Sequence, residues 1–215
     1  MKFKTMMAVA ALALVSASAA QAEDALDGKK LFNTRTCMAC HGMKGAKPIQ
    51  SYPALAGQNE KYVLQQIKDI KDGKRVGSMD ETNHPRTEGM AAILHILSDD
   101  EIAALAKYVS EQTPAVPKPL DPAPSADDLK AGQDAYKKFG CITCHGADAK
   151  KTNSPVYPIL GGLNRDYLIR QMTELRDGQR TNGQSKMMLA FIKKADDAAI
   201  QSIATWLSQV DRSTQ

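Results

Sequence analysis

The motif Cys-x-x-Cys-His-Gly occurs twice in this 215-residue chain, at residues 37–42 and 141–146. The two copies contain all four cysteines of the chain. A histidine directly after the second cysteine is typical of covalent haem attachment, in which two thiols form thioethers and the imidazole binds the iron. The motif therefore predicts two covalently bound haem c groups, one for each copy. The predicted attachment thiols are Cys37, Cys40, Cys141 and Cys144, and the predicted axial imidazoles are His41 and His145.

Paired cysteines have three other common uses that compete with haem attachment. An exported chain with an even number of cysteines has to be tested against a disulfide framework. A structural zinc site needs four ligands close in space, whereas the two cysteine pairs lie in separate halves of the chain. A redox-active dithiol needs a strand-and-helix context that the sequence does not show. The histidine that follows each pair favours haem attachment over all three.

The sequence around the two motifs is duplicated. Landmarks recur at an offset of 104 residues and then of 105 residues, and the first copy carries seven extra residues in the segment 75–90. Between the copies, residues 113–126 contain five prolines, which favour a stiff, extended connector. The repeated landmarks are Gly28 and Gly132, Phe32 and Tyr136, Tyr52-Pro53 and Tyr157-Pro158, Tyr62 and Tyr167, Gln66 and Gln171, and Arg75 and Arg180.

The N-terminal segment has the three regions of a secretory signal. Lys2 and Lys4 precede an apolar run over residues 6–15, and small residues end at Ala22. A retained anchor is the alternative, but the run is shorter than the about 20 residues of a spanning helix. The sequence thus predicts a signal peptide over 1–22, a first domain over 23–112, a linker over 113–126 and a second domain over 127–215. We expect the product to be soluble in the periplasm, without stable membrane insertion.

Apolar residues recur with helical spacing throughout, as at Val63, Ile67 and Ile70, and no alternating strand pattern is evident. The predicted fold class is all-α, with about three main helices around a haem in each domain. Helix boundaries are indicated by predicted N-caps, by glycines at the C-terminal ends and by one capping box. These are Asn59 and Asn164, Gly73 and Gly178, and Ser98 with Glu101.

An electron-carrying haem needs a second strong axial ligand, and methionine raises the reduction potential. Met90 and Met188 are the candidates, because they precede the last amphipathic helix of each copy in equivalent register. A methionine near a helix start is otherwise often core filling. Met187 competes with Met188, and Met79 is a weaker candidate in the first copy.

Four further residues or pairs were assigned from the sequence. The spare histidines lie only in the first copy: His84 is interpreted as a solvated loop residue, with haem ligation or pH sensing as alternatives, and His95 as a surface residue. Pro48 and Pro155 are candidates for the carbonyl that accepts from each proximal imidazole. Tyr52 and Tyr157 either contact a haem propionate or pack.

Gly28, Phe32 and Tyr108 resemble the helix-crossing residues of class I c-type cytochromes, and Gly132, Tyr136 and Trp206 repeat them. Two such units with a proline-rich connector, and the segment YPALAGQNEKYVLQQIKDIKDGKR, resemble the dihaem cytochrome c4 family over essentially the whole predicted mature chain. The resemblance implies tandem class I domains that face each other about a pseudo-twofold axis, with both irons ligated by histidine and methionine.

The resemblance implies a periplasmic electron carrier rather than an enzyme, which moves single electrons between a donor and an acceptor protein. A membrane quinol-oxidising complex and a terminal oxidase are candidate partners. The alternatives are a dihaem subunit of an oxidoreductase, for example of a flavoprotein sulfide dehydrogenase, a peroxidase-like enzyme and a haem-based sensor. The net charge of +4 arises from scattered residues, so we expect no nucleic-acid partner. Lysines after each motif either attract acidic partners or form a solvated surface: Lys44, Lys47, Lys150 and Lys151.

Overall fold

The computed structural model describes residues 26–49 and 52–214. The predicted signal peptide and its cleavage site lie outside the described residues. Within them, ten α-helices and one 3₁₀ turn are joined by loops, and the only β pairing is a single bridge between Met79 and Pro85. None of these helices combines the length and the apolar character that crossing a membrane requires. The all-α prediction is confirmed.

The first half of the chain forms five helices. They are α1 (Gly28–Thr34), α2 (Cys37–His41), α3 (Glu60–Lys71), α4 (Glu88–Leu94) and α5 (Asp99–Ser110), with the 3₁₀ turn Met43–Gly45 after α2. The second half repeats them as α6 (Ala126–Lys138), α7 (Ile142–His145), α8 (Arg165–Arg176), α9 (Ser185–Ile192) and α10 (Asp197–Ser208). The three helices predicted for each half are present as α1, α3 and α5 and as α6, α8 and α10, and two further short helices in each half carry the histidine of the motif and the candidate methionine.

The first and last main helices of each half cross at a glycine. A Cβ atom at Gly28 of α1 would lie 2.3 Å from the carbonyl oxygen of Ala104 in α5, and one at Gly132 of α6 would lie 2.3 Å from that of Ser202 in α10. Only glycine permits so close an approach of two backbones. Aromatic rings pack beside both crossings, as the resemblance implied. The ring centroids are 5.5 Å apart for Phe32 and Tyr108 and 4.9 Å apart for Tyr136 and Trp206.

Each half has its own apolar core. The first core joins α1, α3, α4 and α5 through buried side chains such as Phe32, Ile67 and Ile102. The second core joins α6, α8, α9 and α10 through Tyr136 and Leu168 among others. The two cores correspond helix by helix, so equivalent helices of the two halves enclose the cavity described below.

Most of the predicted helix boundaries are present in the structure. Ser98 and Glu101 form a reciprocal capping box at the start of α5. Asn164 accepts from the backbone N–H groups of Asp166 and Tyr167 at the start of α8. Gly73 and Gly178 have φ of +68° and +71° after α3 and α8, in the left-handed region that ends helices.

Asn59 occupies the N-cap position of α3, as predicted, but its side chain makes no capping bond. Its amide Nδ2 atom donates instead to Thr152 Oγ1 and to the carbonyl oxygen of Tyr157, both at 2.7 Å and both in the other half of the chain. Hydrogen bonds across the interface between the halves therefore replace the local capping interaction.

Candidate functional site

A cavity of about 1160 Å³ lies between the two halves and extends into both. Both Cys-x-x-Cys-His motifs line it, together with helices α3 and α8. Four methionines are also among the lining residues, namely Met90, Met172, Met187 and Met188. The structure thus brings the predicted thiols and imidazoles of both copies to one continuous space.

The four thiols are free and form no disulfide among the described residues. Burial is the main cause of the raised pKa of the Cys37 thiol. It also raises the pKa of the Cys141 thiol, to about 11. A raised pKa keeps these sulfurs in the thiol form, which disfavours a redox-active dithiol because the thiolate is the reactive species. Free, unpaired thiols are also what thioether attachment requires.

The glycine of each motif turns the chain back sharply. Gly42 and Gly146 have φ of +72° and +78°, and a Cβ atom would lie 2.0 Å from the Lys47 carbonyl oxygen or 2.1 Å from that of Lys151. The glycines therefore allow the following loop to pack against the helix end that carries the histidine.

Both histidines are buried, with 8% exposure for His41 and 3% for His145. His41 Nδ1 lies 3.0 Å from the carbonyl oxygen of Pro53, and His145 Nδ1 lies 2.8 Å from that of Pro158. A carbonyl can only accept, so Nδ1 carries the proton and Nε2 keeps its lone pair for a metal. Burial lowers the pKa of both imidazoles against the opposing effect of the carbonyl bond, which favours the neutral, ligating form.

The predicted carbonyl partners, Pro48 and Pro155, are wrong. Pro53 and Pro158 take this role, and they are equivalent in the 105-residue register of the duplication whereas Pro48 and Pro155 are not. The Tyr-Pro pair was visible as a repeated landmark, so the register itself was the signal that pointed to these carbonyls. The tyrosine rings beside them lie near the imidazoles, with centroid separations of 6.2 Å for Tyr52 and His41 and 6.3 Å for Tyr157 and His145.

The candidate methionines differ in their surroundings. Met90 in α4 packs against the first core and Met188 in α9 against the second. Met187 is 50% exposed, and Met79 is 56% exposed and does not line the cavity. Met90 and Met188 are thus placed equivalently in their halves. The thioether, the imidazole and the two thiols of each half are the donor types that a covalent haem with histidine and methionine ligands requires, so these residues fit that group.

Neither spare histidine belongs to an apolar core, but His84 is among the residues that line the cavity. The exposed His84 ring places Nδ1 2.8 Å from Glu88 Oε2, in the loop that holds the extra residues of the first half. His95 follows α4 as its exposed C-cap residue. Neither belongs to the repeated donor set.

A buried polar cluster between α3 and α8 was not recognised from the sequence. Arg75 and Arg180 each donate to the side-chain oxygens of both Gln66 and Gln171. Each also contacts the tyrosine hydroxyl of the other half: Arg75 contacts Tyr167 and Arg180 contacts Tyr62, both at 3.3 Å. All six residues are among the repeated landmarks of the sequence, but an alignment of the two repeats does not show contacts between them.

Two buried carboxylates flank this cluster in the same register. Asp69 accepts from Asn182 Nδ2 at 2.6 Å, and Glu174 accepts from the backbone N–H and hydroxyl of Ser78 at 2.9 and 2.7 Å. Each acid therefore receives hydrogen bonds from the loop of the opposite half. This reciprocity is the contact pattern expected of a pseudo-twofold axis between the halves.

Arg212, near the C-terminus, joins the halves a second time. Its guanidinium is 3% exposed and donates to the carbonyl oxygens of Gly161 at 2.7 Å and Gly57 at 3.1 Å. It takes part in none of the ion pairs found among the described residues. Its role is to satisfy two backbone acceptors where the halves meet.

Comparisons with known proteins agree with this arrangement. The family model "Cytochrome c" matches residues 25–113, and the model "Cytochrome C oxidase, cbb3-type, subunit III" matches residues 127–207. Cytochrome c4 of Pseudomonas aeruginosa is 34% identical over 175 residues, which cover 80% of this chain and 82% of that protein. The thiosulfate dehydrogenase electron acceptor of Thiomonas intermedia is 31% identical, over 80% of this chain and 77% of that protein.

A solved structure shows the same fold. The crystal structure of reduced recombinant cytochrome c4 from Pseudomonas stutzeri superposes with a TM-score of 0.73 at 29% sequence identity. The match covers 87% of this chain and 99% of that chain. The likeness therefore extends over both halves rather than over a single repeat.

Proposed function

The chain belongs to the cytochrome c4 family of dihaem electron-transfer cytochromes, and we propose on that basis that it carries single electrons between redox proteins in the periplasm. The observation that carries the proposal is the repeated pair of a buried imidazole and a proline carbonyl, placed beside two free thiols on one cavity. The proposed domains are residues 23–112 and 127–215, with 113–126 as their linker and 1–22 as a cleaved signal.

The proposed attachment sites use the donor set of each half. Cys37 and Cys40 hold the first haem and Cys141 and Cys144 the second. His41 with Met90 would ligate the first iron, and His145 with Met188 would ligate the second. Each haem would supply a one-electron couple, and with both ligands bound its iron would offer no open position to a substrate.

The chain's own groups prepare these ligands. The carbonyls of Pro53 and Pro158 hold the imidazole rings in the tautomer that leaves Nε2 available and make that nitrogen more basic. The methionine thioether raises the reduction potential relative to a second imidazole. The surrounding cores exclude water, which limits the change in solvation when the charge of the site changes.

Exposed lysines beside the first motif suit an acidic redox partner. Lys44 and Lys47 are exposed next to the apolar side chains of Met43 and Ile49, which are 72% and 50% exposed. In the second half, Lys151 is exposed and Lys150 is half-buried at the equivalent place. Positive charge around an apolar contact surface raises the association rate with acidic partners and leaves the encounter short-lived.

A second candidate function is supported by one relative. The thiosulfate dehydrogenase electron acceptor of Thiomonas intermedia is as similar to this chain as several cytochromes c4 are. On this alternative, the chain accepts electrons from one dedicated dehydrogenase rather than serving a respiratory chain in general. Stable co-purification with such an enzyme would favour it over a freely exchanging carrier.

The proposal is tested on the exported holoprotein. Mass spectrometry should give a chain that begins at Glu23 and carries the added mass of two haems. Optical redox titration should resolve two one-electron steps, and near-infrared spectra should show a methionine-to-iron band from both ferric centres. A centre without that band that binds carbon monoxide rapidly would contradict the electron-carrier function and favour a peroxidase or a sensor.

A further inference from the structure

A loop of the first domain is hydrogen-bonded to the segment of the second domain that contacts the proximal histidine. The side-chain amide of Gln58 accepts from the backbone N–H of Ile159 at 2.7 Å and donates to the carbonyl oxygen of Ile159 at 2.9 Å. Gln58 is 4% exposed, so this two-bond contact is shielded from water. Asn59 donates to the carbonyl oxygen of Tyr157 at 2.7 Å. The two contacts lie on either side of Pro158.

Pro158 provides the carbonyl that accepts from His145 Nδ1 at 2.8 Å. That carbonyl and the N–H of Ile159 belong to the same planar peptide unit, in which the two groups point in opposite directions. Gln58 Oε1 therefore binds one end of the peptide unit whose other end binds the imidazole. Hydrogen bonds linked through one peptide unit polarise each other, so the bond from Gln58 makes the Pro158 oxygen a stronger acceptor.

The first domain lacks the counterpart of the Gln58 contact. Its equivalent peptide unit joins Pro53 and Ala54, and Pro53 accepts from His41 Nδ1 at 3.0 Å. The residue equivalent to Gln58 is Leu163, which is buried in the apolar core of the second domain. Within residues 26–49 and 52–214, no side chain of the second domain accepts from the N–H of Ala54, whose methyl group packs against the second core instead. The two hydrogen bonds between Gln58 and Ile159, here called the brace, therefore support the histidine segment of the second domain and have no counterpart in the first.

We propose that Gln58, in the first domain, is a positioning residue for the iron-binding imidazole of the second domain. By fixing and polarising the Pro158 carbonyl, Gln58 strengthens the bond from His145 Nδ1 and makes Nε2 a better electron donor. A more basic ligand stabilises the ferric state, so Gln58 lowers the reduction potential of the second haem below the value that this haem would have without the brace. The inference rests on the proposed ligation by His145.

The test substitutes Gln58→Leu in the holoprotein, which introduces the residue found at the equivalent position of the second domain. Hyperfine-shifted proton signals, recorded through a redox titration, assign each potential to its own haem and report the electronic state of the His145 ring. We expect the reduction equilibrium of the second haem to shift roughly threefold toward the ferrous form, where tenfold corresponds to about 59 mV for one electron. The first haem should be unaffected, and the His145 ring signals should move.

A second variant keeps the inference testable where Gln58→Leu does not fold. Asn59→Ser removes the amide donor to Tyr157 without adding a charge and retains a good N-cap residue for α3. It should shift the second haem in the same direction. Ser78→Ala is the matched control, because it removes a contact between the domains, to Glu174, that does not involve the segment around Pro158.

Three results would overturn the inference. One is an unchanged second potential in both variants, even where the exchange of the Ile159 amide proton is accelerated, because the contact would then be purely structural. Another is an equal shift of both haems, or the same shift in Ser78→Ala, because this would indicate general loosening between the domains. The third is absence of His145 ligation in the unmodified protein, which would overturn the proposed function as well. Ligation by His145 is therefore measured in the unmodified protein before any variant is compared.

Discussion

Arg75 and Arg180 occupy equivalent positions of the two domains and donate to the same atom, Gln171 Oε1, at 2.9 and 2.7 Å. Both also donate to Gln66 Oε1, at 3.0 and 2.9 Å. Two like charges are thus held side by side in the interface. Burial tends to raise the pKa of Tyr62, but the charges of Arg180 and Arg75 outweigh it and lower that pKa. The buried carboxylates of Asp69 and Glu174 flank the two guanidinium groups, so the interface holds charges of both signs close together.

Removing one of these guanidinium groups should weaken the association of the domains. Arg180→Ala removes one of the two guanidinium donors to each of the Gln66 and Gln171 Oε1 atoms, and the arginine donor to the Tyr62 hydroxyl, in a partly buried site, which costs about 2 kcal/mol of unfolding free energy. The measurement is denaturant unfolding of the holoprotein, with small-angle scattering to detect separation of the domains. Arg86→Ala is the control, because Arg86 pairs with the exposed Glu81 in a loop. Equal stability of the two variants would contradict the expectation.

Substitution of the candidate axial methionines should abolish the near-infrared methionine band one haem at a time. Met90→Ala should remove the contribution of the first haem and Met188→Ala that of the second, and each should lower the potential of its own haem. Met79→Ala and Met187→Ala are matched controls that should leave both bands in place. Loss of a band in Met187→Ala with retention in Met188→Ala would exchange the assignment in the second domain.

The crossing of α1 and α5 should not tolerate a side chain at Gly28. An added Cβ atom would meet the Ala104 carbonyl oxygen at 2.3 Å and Tyr108 Cβ at 2.7 Å, so the two helices would have to separate. We expect Gly28→Ala to reduce the unfolding free energy by about 3 kcal/mol, at the upper end of overpacking effects. Lys29→Ala, on the exposed face of the same helix, should change it little. Unfolding in urea, followed by helical circular dichroism, distinguishes the two.

Glu101 should contribute to stability in a pH-dependent manner. Its carboxylate accepts from the backbone N–H of Ser98 and from Arg35, and these two interactions lower its pKa. Because the folded-state pKa lies below the unfolded value of about 4.3, the contribution is complete above that pH and disappears as the pH falls through the folded-state pKa.

The check is to compare Glu101→Gln with the unmodified holoprotein in urea from neutral pH downwards. The difference in unfolding free energy should be largest at neutral pH and should shrink in acid. Glu111→Gln, at the exposed end of α5, is the control. A difference for Glu101→Gln that stays constant across the range would show that its charge plays no part.

Local signals in the sequence predicted much of this structure. The Ser98–Glu101 box and the stop at Gly73 depend on backbone geometry within a few residues, so their sequence patterns are sufficient. The motif at residues 37–42 specifies its chemistry by composition, because two thiols and an adjacent imidazole have few common uses. The duplication then supplied the register that placed Met90 and Met188 at equivalent positions.

Features that depend on the packing of one domain against the other could not be predicted in this way. Asn59 has the sequence of an N-cap, but acceptors more than ninety residues away in the chain bind its amide instead. The carbonyl partner of His145 depends on how the loop after α7 folds back, and it is Pro158 rather than the predicted Pro155. The pairing of Arg75 with Gln171 requires knowledge of the relative orientation of two domains.

The exchange of hydrogen bonds around Asp69 and Glu174 has a consequence for how this tandem can vary. Each carboxylate is buried, and each relies on a donor that the other repeat supplies. Excising either repeat would remove that donor but would also expose the carboxylate to water. Placing the repeat beside a foreign neighbour would instead leave the carboxylate buried with only the glutamine donor of its own helix, unless that neighbour brought a matching group. Substitutions at these carboxylates and at their donors are thus coupled between the two duplicated segments.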